Sequence, residues 1–534
     1  MQSFGSRPRR WLVLLAALPL LVAACDGADD ESAAADSSEG GEFSMFLCEP
    51  ERLLSQASSE VCGFQVLDTI FTGLVEYDAE TGEIVDGAGM AESIESDDQR
   101  VWTITLKEGW TFHNGEPVTA SSFVDAWNWM ADPSNEMGNA FFLAMAGFEG
   151  YPEVAGGEAE EMSGVEAVDD ETIRVTLAEP FGPFELLIGY TGFQPLPEEF
   201  YDDPVAFEDA PIGNGPYMMD GEWERGSEIR LVRYDDYEGE AGNADAVNLR
   251  IYSEVSTAFL DLQAGEIDLL DGVPPEHRAA AGDEFGDRYL DNPTTGYNYL
   301  GFPLYQEEWQ DVNLRRSFSM AIDRETIIEQ ILGGTQTPAT SIMPPSMAAH
   351  RDDACEYCGY DPDRAAELYA ETDGVEEPLQ LYFNSGAGLD EWMEAIGLQL
   401  SQNLGIEAIE FQSLDWPEYL PLLDGHEAEG PFRLGWGTLY PSPQYAMEPL
   451  YTTGAESNSG AYSSEEFDAL IAEANTMPVD EADEVYQQAE DVLLEDMPIA
   501  PLWYSVDGVA WNDTIGNVVA DSRGFVRIPE VIVD

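Results

Sequence analysis

Leu379-Gln-Leu-Tyr-Phe383, then Leu389-Asp-Glu-Trp-Met-Glu-Ala-Ile-Gly-Leu-Gln-Leu-Ser-Gln-Asn-Leu404, Gly405 and Ile406-Glu-Ala-Ile-Glu-Phe411 set the grammar of the chain. Residues 379–383 read as a strand, 389–404 as a helix closed by Gly405, and 406–411 as the next strand, which is a crossover unit of an α/β protein. The same order recurs outward in both directions. Residues 256–264 form a helical tract that stops at Gly265 and leads into apolar 267–270. Residues 311–332 give one or two helices ending at Gly333 and Gly334, and Pro362 takes a first helical position after Asp361. Ser463 and Glu466 make a capping box before Phe467, Leu470 and Ile471, and a helix over 480–495 returns the chain to a strand over 499–504. Toward the N-terminus, Val101 to Leu106 alternates as a strand, and His113-Asn-Gly-Glu-Pro117 carries an Asn-Gly turn. Thr119 reads as an N-cap ahead of Phe123, Trp127 and Met130 on one apolar stripe, and residues 173–177 read as a further strand.

The 534 residues exceed one ordinary core, so two or three lobes are expected. A hydrophobic share of 44% with 24 Phe, 23 Tyr and 12 Trp supplies ample material to bury. The charge is lopsided: 106 Asp plus Glu against 21 Lys plus Arg, a formal net charge of -85, with Lys107 the only lysine. Such a surface repels phosphate backbones, so nucleic-acid binding is excluded, and anionic lipid is repelled too. The acids are spread along the whole chain, which reads as a surface adapted to high salt rather than as a receptor tuned for cationic ligands.

Arg7, Arg9 and Arg10 precede an apolar run from 11 to 24, broken only by Pro19 and shorter than the roughly 20 residues that span a bilayer. Residues 1–24 therefore read as an export signal, its route, general or twin-arginine, left open. Val22-Ala-Ala-Cys25 resembles the bacterial lipobox, which implies lipid on Cys25 and a membrane-anchored protein at the cell surface or in the periplasmic space. Residues 25–42, rich in Asp, Ser, Ala, Glu and Gly, read as an acidic flexible tether. Four further cysteines lie in a chain expected outside the cell, and sequence nearness suggests Cys48 with Cys62 and Cys355 with Cys358. The second pair is a C-x-x-C, read as a loop staple because no second C-x-x-C exists and the four histidines lie far from it.

An enzyme would need a nucleophile or metal set. Leu106 before the sole lysine rules out a P-loop, and Ile104 rules out Ser-x-x-Lys. Neither G-x-S-x-G nor H-E-x-x-H occurs, and His426-Glu427 lacks the second histidine of a zinc helix. No metal or cofactor is expected. A surface hydrolase stands as the competitor of a different class.

Phe71-Thr-Gly-Leu-Val-Glu-Tyr-Asp78, Thr81-Gly-Glu83, Ala91-Glu-Ser93 and Trp102 to Ala120 resemble the signature region of the extracellular solute-binding proteins of oligopeptide, dipeptide and nickel ABC importers. Pro211-Ile-Gly-Asn-Gly-Pro-Tyr217, Leu262-Gln-Ala-Gly-Glu-Ile-Asp268, Leu314 to Arg324, Tyr360-Asp-Pro362 and Tyr462 to Leu470 resemble later landmarks in the same order. The resemblance covers nearly the whole mature chain. It implies a periplasmic-binding-protein-like α/β fold of the large type II, three-lobed variant: lobe I from residues 43–88, 212–292 and 499–534, a smaller inserted lobe at 89–211, and lobe II at 293–498. It also implies a monomer that encloses a peptide-like solute by hinge closure and presents it to ABC permease subunits. An oligosaccharide or a metal chelate is the alternative cargo.

Peptide-binding members carry Gly-Trp-x-x-Asp-Tyr in the second lobe, the aspartate holding the ligand amine. Here Gly435-Trp436-Gly-Thr-Leu439-Tyr440 places Leu439 at that position. Leucine cannot pair with an ammonium, so another carboxylate replaces it or the ligand presents no free amine there. By the same resemblance Arg433 faces a ligand carboxylate or makes a structural ion pair, and Trp436 and Tyr440 stack on ligand or pack the lobe. Glu49 and Pro50 line the opposite face, Glu49 reading equally as a solvated acid, and Tyr297, Asn298 and Tyr299 follow the crossing between lobes. His113 reads as a hairpin residue rather than a nickel ligand, and Trp416 as core.

Overall fold

The computed structural model describes residues 40–386 and 388–534. Cys25, the export signal and nearly all of the expected tether lie outside the described residues.

The crossover unit forms as expected, with a shift at its end. Strand Leu379–Asn384, helix Leu389–Leu404 and strand Ile409–Leu414 bring two parallel strands side by side, Leu379 opposite Ile409 and Asn384 opposite Leu414. Leu389, Trp392, Met393, Ile396, Leu400 and Leu404 make the buried face of the helix at three- and four-residue spacing. Gly397 lets the helix approach, since a Cβ there would stand 2.6 Å from the Phe411 ring. Gly405 ends it at φ +77°. The second strand begins at Ile409 rather than 406 because the Glu377 carboxylate accepts the N–H groups of Glu407 and Ala408, which diverts them from the ladder. Ile406 is buried in the intervening loop.

The strands in chain order are β1 (Glu42–Leu47), β2 (Ala91–Glu95), β3 (Val101–Leu106), β4 (Val165–Asp169), β5 (Thr172–Thr176), β6 (Tyr217–Met219), β7 (Glu228–Arg233), β8 (Ala246–Ile251) and β9 (Leu269–Asp271). They continue with β10 (Tyr289–Gly301), β11 (Thr337–Pro338), β12 (Leu379–Asn384), β13 (Ile409–Leu414), β14 (Phe432–Trp436), β15 (Ile499–Trp511) and the two-stranded pair β16 (Ile515–Gly516) and β17 (Ile532–Val533). One mixed sheet runs β13-β12-β14-β10-β15-β9-β1-β8-β7-β6, with β11 joined to β15, and a separate four-stranded sheet runs β2-β3-β5-β4. Helix Val255–Ala264 carries the chain from β8 to β9 across β1, and all three strands are parallel. Residues 311–332 resolve into two helices, Val312–Met320 and Arg324–Gln330. Ser464, not Ser463, caps helix Glu465–Ala474, its hydroxyl accepting the Phe467 N–H at 3.3 Å while Ser463 accepts a bond from Thr453. Glu42, expected in the tether, already pairs with Ala246 in the sheet and forms an ion pair with Arg230.

Apolar side chains collect into two large cores. One joins Phe43 to Tyr77, the four-stranded sheet with its helices, and Val509 to Val531; the other joins Tyr297 to Tyr504. Strands β10 and β15 pair antiparallel from Tyr289–Ala510 to Gly301–Ile499 and pass from the first core into the second. Their register shifts between Pro293 and Tyr297 and again between Asn298 and Tyr299, where the strands cross. Disulfide Cys48–Cys62 ties the end of β1 to helix Val61–Ile70, and Cys355–Cys358 closes a short loop.

Candidate ligand cleft

The crossing strands floor a cavity of about 460 Å³. Tyr297 and Asn298 of β10, Ser505 and Asp507 of β15, and Arg433, Gly435 and Trp436 of β14 line it, followed by Gly437 to Leu439. Glu60, Phe64, Tyr190, Arg523 and Phe525 face them, and Trp416 stands at the rim. Tyr297 belongs to the second core and Phe64 and Tyr190 to the first, while Leu439 packs against the first and Trp436 against both.

Arg433 is held by neutral groups. Its terminal nitrogens donate to Asn298 Oδ1 and, at 3.2 Å, to Asn384 Oδ1, while Nε is buried without a partner among the described residues. Its carbon lies 5.9 Å from the Trp392 ring, and burial pulls the guanidinium pKa below its ordinary value. A buried cation held only by amide oxygens retains unspent pairing capacity. Trp436 donates its indole N–H to the Tyr445 carbonyl at 3.0 Å, which fixes the ring at the cavity wall. Arg523, in contrast, is spent: Asp68 lies at 3.1 Å and Asp521 at 2.8 Å. Glu60 caps its helix by accepting the N–H groups of Cys62 and Gly63.

Of the residues singled out from sequence, Arg433, Gly435, Trp436, Leu439 and Asn298 meet in this cavity. Tyr440 does not. It is wholly buried, stacked 4.8 Å from Tyr445, with its hydroxyl donating to Gln444 at 2.6 Å. Glu49 and Pro50 are also elsewhere: the Glu49 carboxylate accepts the Gly226 N–H at 2.6 Å, and Pro50 is buried in the following turn. Trp416, read as core, is 47% exposed at the start of helix Trp416–Asp424 and reaches the cavity, because a first-turn residue has no preceding turn to pack on. His113 bridges Gly213 and Gly215 backbone in the hairpin, and burial lowers its pKa to about 4.

Sequence reasoning missed Ser505, Asp507, Arg523 and Phe525. The strand expected over 499–504 stops short of the first two, yet its alternation continued further places Ser505 and Asp507 on one face. Arg523 lies in a segment without periodicity and could be found only from the scarcity of cations.

A larger cavity of about 750 Å³ lies beyond Arg523 and Phe525, lined by Glu76, Lys107, Tyr237 and Arg527. Lys107 spends its ammonium there on the carbonyls of Gly87, Ala88 and Gly89.

The sequence matches the family described as bacterial extracellular solute-binding proteins, family 5 Middle, over residues 87–458. Oligopeptide-binding protein OppA of Bacillus subtilis (strain 168) is 25% identical over 495 residues, 88% of this chain and 88% of that protein. The unliganded open form of the periplasmic murein tripeptide binding protein MppA superposes with a TM-score of 0.80 at 24% identity, covering 93% of this chain and 98% of that one. Haemophilus influenzae OppA in complex with RPPGFSPFR superposes at 0.74 with 22% identity, covering 93% and 100%. The fold is shared throughout, and these relatives are binding proteins, not enzymes.

Proposed function

Because the chain belongs to the bacterial extracellular solute-binding proteins of family 5, we propose that it is the receptor of an ABC importer, capturing short peptides between two lobes and delivering them to a membrane permease. The observation that carries the cargo is Arg433, a guanidinium in an aromatic-walled cavity with no carboxylate among its partners in the described residues. A peptide C-terminus supplies the missing charge, and Trp436 and Trp416 supply apolar surface for side chains. The name of the Bacillus OppA relative points the same way.

Lobe I then comprises residues 43–88, 212–292 and 499–534, the inserted lobe 89–211, and lobe II 293–498. The two cores and the crossing of β10 and β15 between them support that division, and the register shifts near Tyr297 suit a hinge. Ligand touching both walls would then draw an open state toward a closed one. Lipid on Cys25 would keep the receptor beside its permease.

Leu439 favours a second reading. It gives the cavity an apolar position where peptide binders of this kind carry an acid, and an oligosaccharide or a metal chelate needs no amine anchor. Thermal shifts with panels of peptides, oligosaccharides and chelated metals separate the two. The proposal expects stabilisation by peptides of a few residues alone; stabilisation confined to sugars or chelates would replace it.

A further inference from the structure

The cleft residues include four ionisable side chains: Glu60, Asp507, Arg433 and Arg523. Two of them are spent. Glu60 accepts three backbone N–H groups, from Glu51, Cys62 and Gly63, and Arg523 is paired with Asp68 and Asp521. The other two are not. Arg433 rests on two amide oxygens, and the nearest cation to Asp507 is Arg278 at 4.0 Å, beyond hydrogen-bond length. Arg278 commits its remaining nitrogens to Val273, Val506 and Thr335. Asp507 is 45% exposed and opens on the cavity. Among its described residues the cleft therefore presents one open guanidinium and one open carboxyl group.

Their placement follows from the sheet. Asn298, which holds Arg433, pairs with Trp503, four positions before Asp507 on β15, and its amide donates to Ser505 Oγ at 3.3 Å, two positions before it. At about 3.3 Å per residue the two groups stand on the order of 7–13 Å apart along the strand. An extended chain of about two to four residues spans that distance.

We propose that Asp507 is the amine anchor of the cleft, pairing with the N-terminal ammonium of a peptide of about two to four residues whose carboxylate meets Arg433. Leu439, on the loop after β14, is then an apolar wall for a side chain. The inference rests on the peptide reading above and adds the residue, the polarity and the length.

The test is isothermal titration of the purified mature chain with a neutral tripeptide, the same peptide N-acetylated, and its hexapeptide counterpart, on wild type and Asp507→Asn. Wild type is expected to bind the free-amine tripeptide at least 10-fold more tightly than its acetylated form and more tightly than the hexapeptide. In Asp507→Asn that ratio falls toward one, with melting temperature checked to show a folded protein. Should the variant not fold, wild-type discrimination against acetylation combined with the same ratio in Asp507→Ser decides. A variant that keeps the full wild-type ratio overturns the anchor while leaving peptide binding intact. A wild type that binds no peptide overturns the cargo reading and this inference with it.

Discussion

In the proposed function Arg433 acts by being incompletely satisfied. Replacing it with Met removes the charge at similar length, and since a hydrogen bond to a charged group contributes about 1.5–3 kcal/mol, peptide affinity is expected to fall roughly 10- to 100-fold by calorimetry. Arg523 is the contrary case, paired with Asp68 and Asp521 at the cleft wall. Arg523→Met leaves buried acids without their partner and is expected to lower unfolding free energy by about 3 kcal/mol in urea titrations. Asp271 carries a pH signature. Burial, aided by the charge of Asp507, raises its pKa from 3.8 to about 7, and its Oδ1 has no partner among the described residues. Because the folded value is raised, the favourable contribution is complete below pH about 4 and is lost as pH rises toward 7. Asp271→Asn should therefore stabilise the protein at pH 8 by a few kcal/mol (about 2–4) and have little effect at pH 4, measured by chemical denaturation at both. Arg433 and Trp436 were legible in the sequence because a cation is rare here and both sit in a recognisable tract. Of its two readings Tyr440 takes lobe packing, which the sequence left open because a tract fixes which residues lie near a cleft but not which way each side chain turns.

Glycine at the helix ends sets where each crossover returns. Gly405 holds φ +77°, and a Cβ added there would meet nothing within 4 Å, so Gly405→Ala brings only backbone strain and should cost about 1 kcal/mol by thermal denaturation. Helices were legible for this reason: apolar periodicity marks the face and glycine marks the stop, as at Gly265 after helix Val255–Ala264. Strand limits were less so. The start of β13 was obscured because Glu377, distant in sequence, takes the N–H groups that would have begun it. Strand β15 runs to Trp511, well past the expected end at Tyr504, because pairing with β10 and β9 rather than its own composition sustains it.

Across the whole molecule the excess of acids acts as a distributed repulsion. With a net charge of -85, raising NaCl screens that repulsion, and the melting temperature should climb through the molar range; a flat profile would remove the high-salt reading. The order of crossovers was legible from sequence, but the long mixed sheet was not, since partners such as Glu42 of β1 and Ala246 of β8 lie far apart along the chain. What the proposed function requires at this scale is movement: two cores joined by β10 and β15 must approach when a peptide bridges the walls of the cleft. Small-angle X-ray scattering on the mature chain, with and without a saturating peptide whose binding is verified by calorimetry, measures that approach directly. Closure predicts a smaller radius of gyration and a shortened maximum dimension on binding; superimposable curves from free and saturated protein would contradict it.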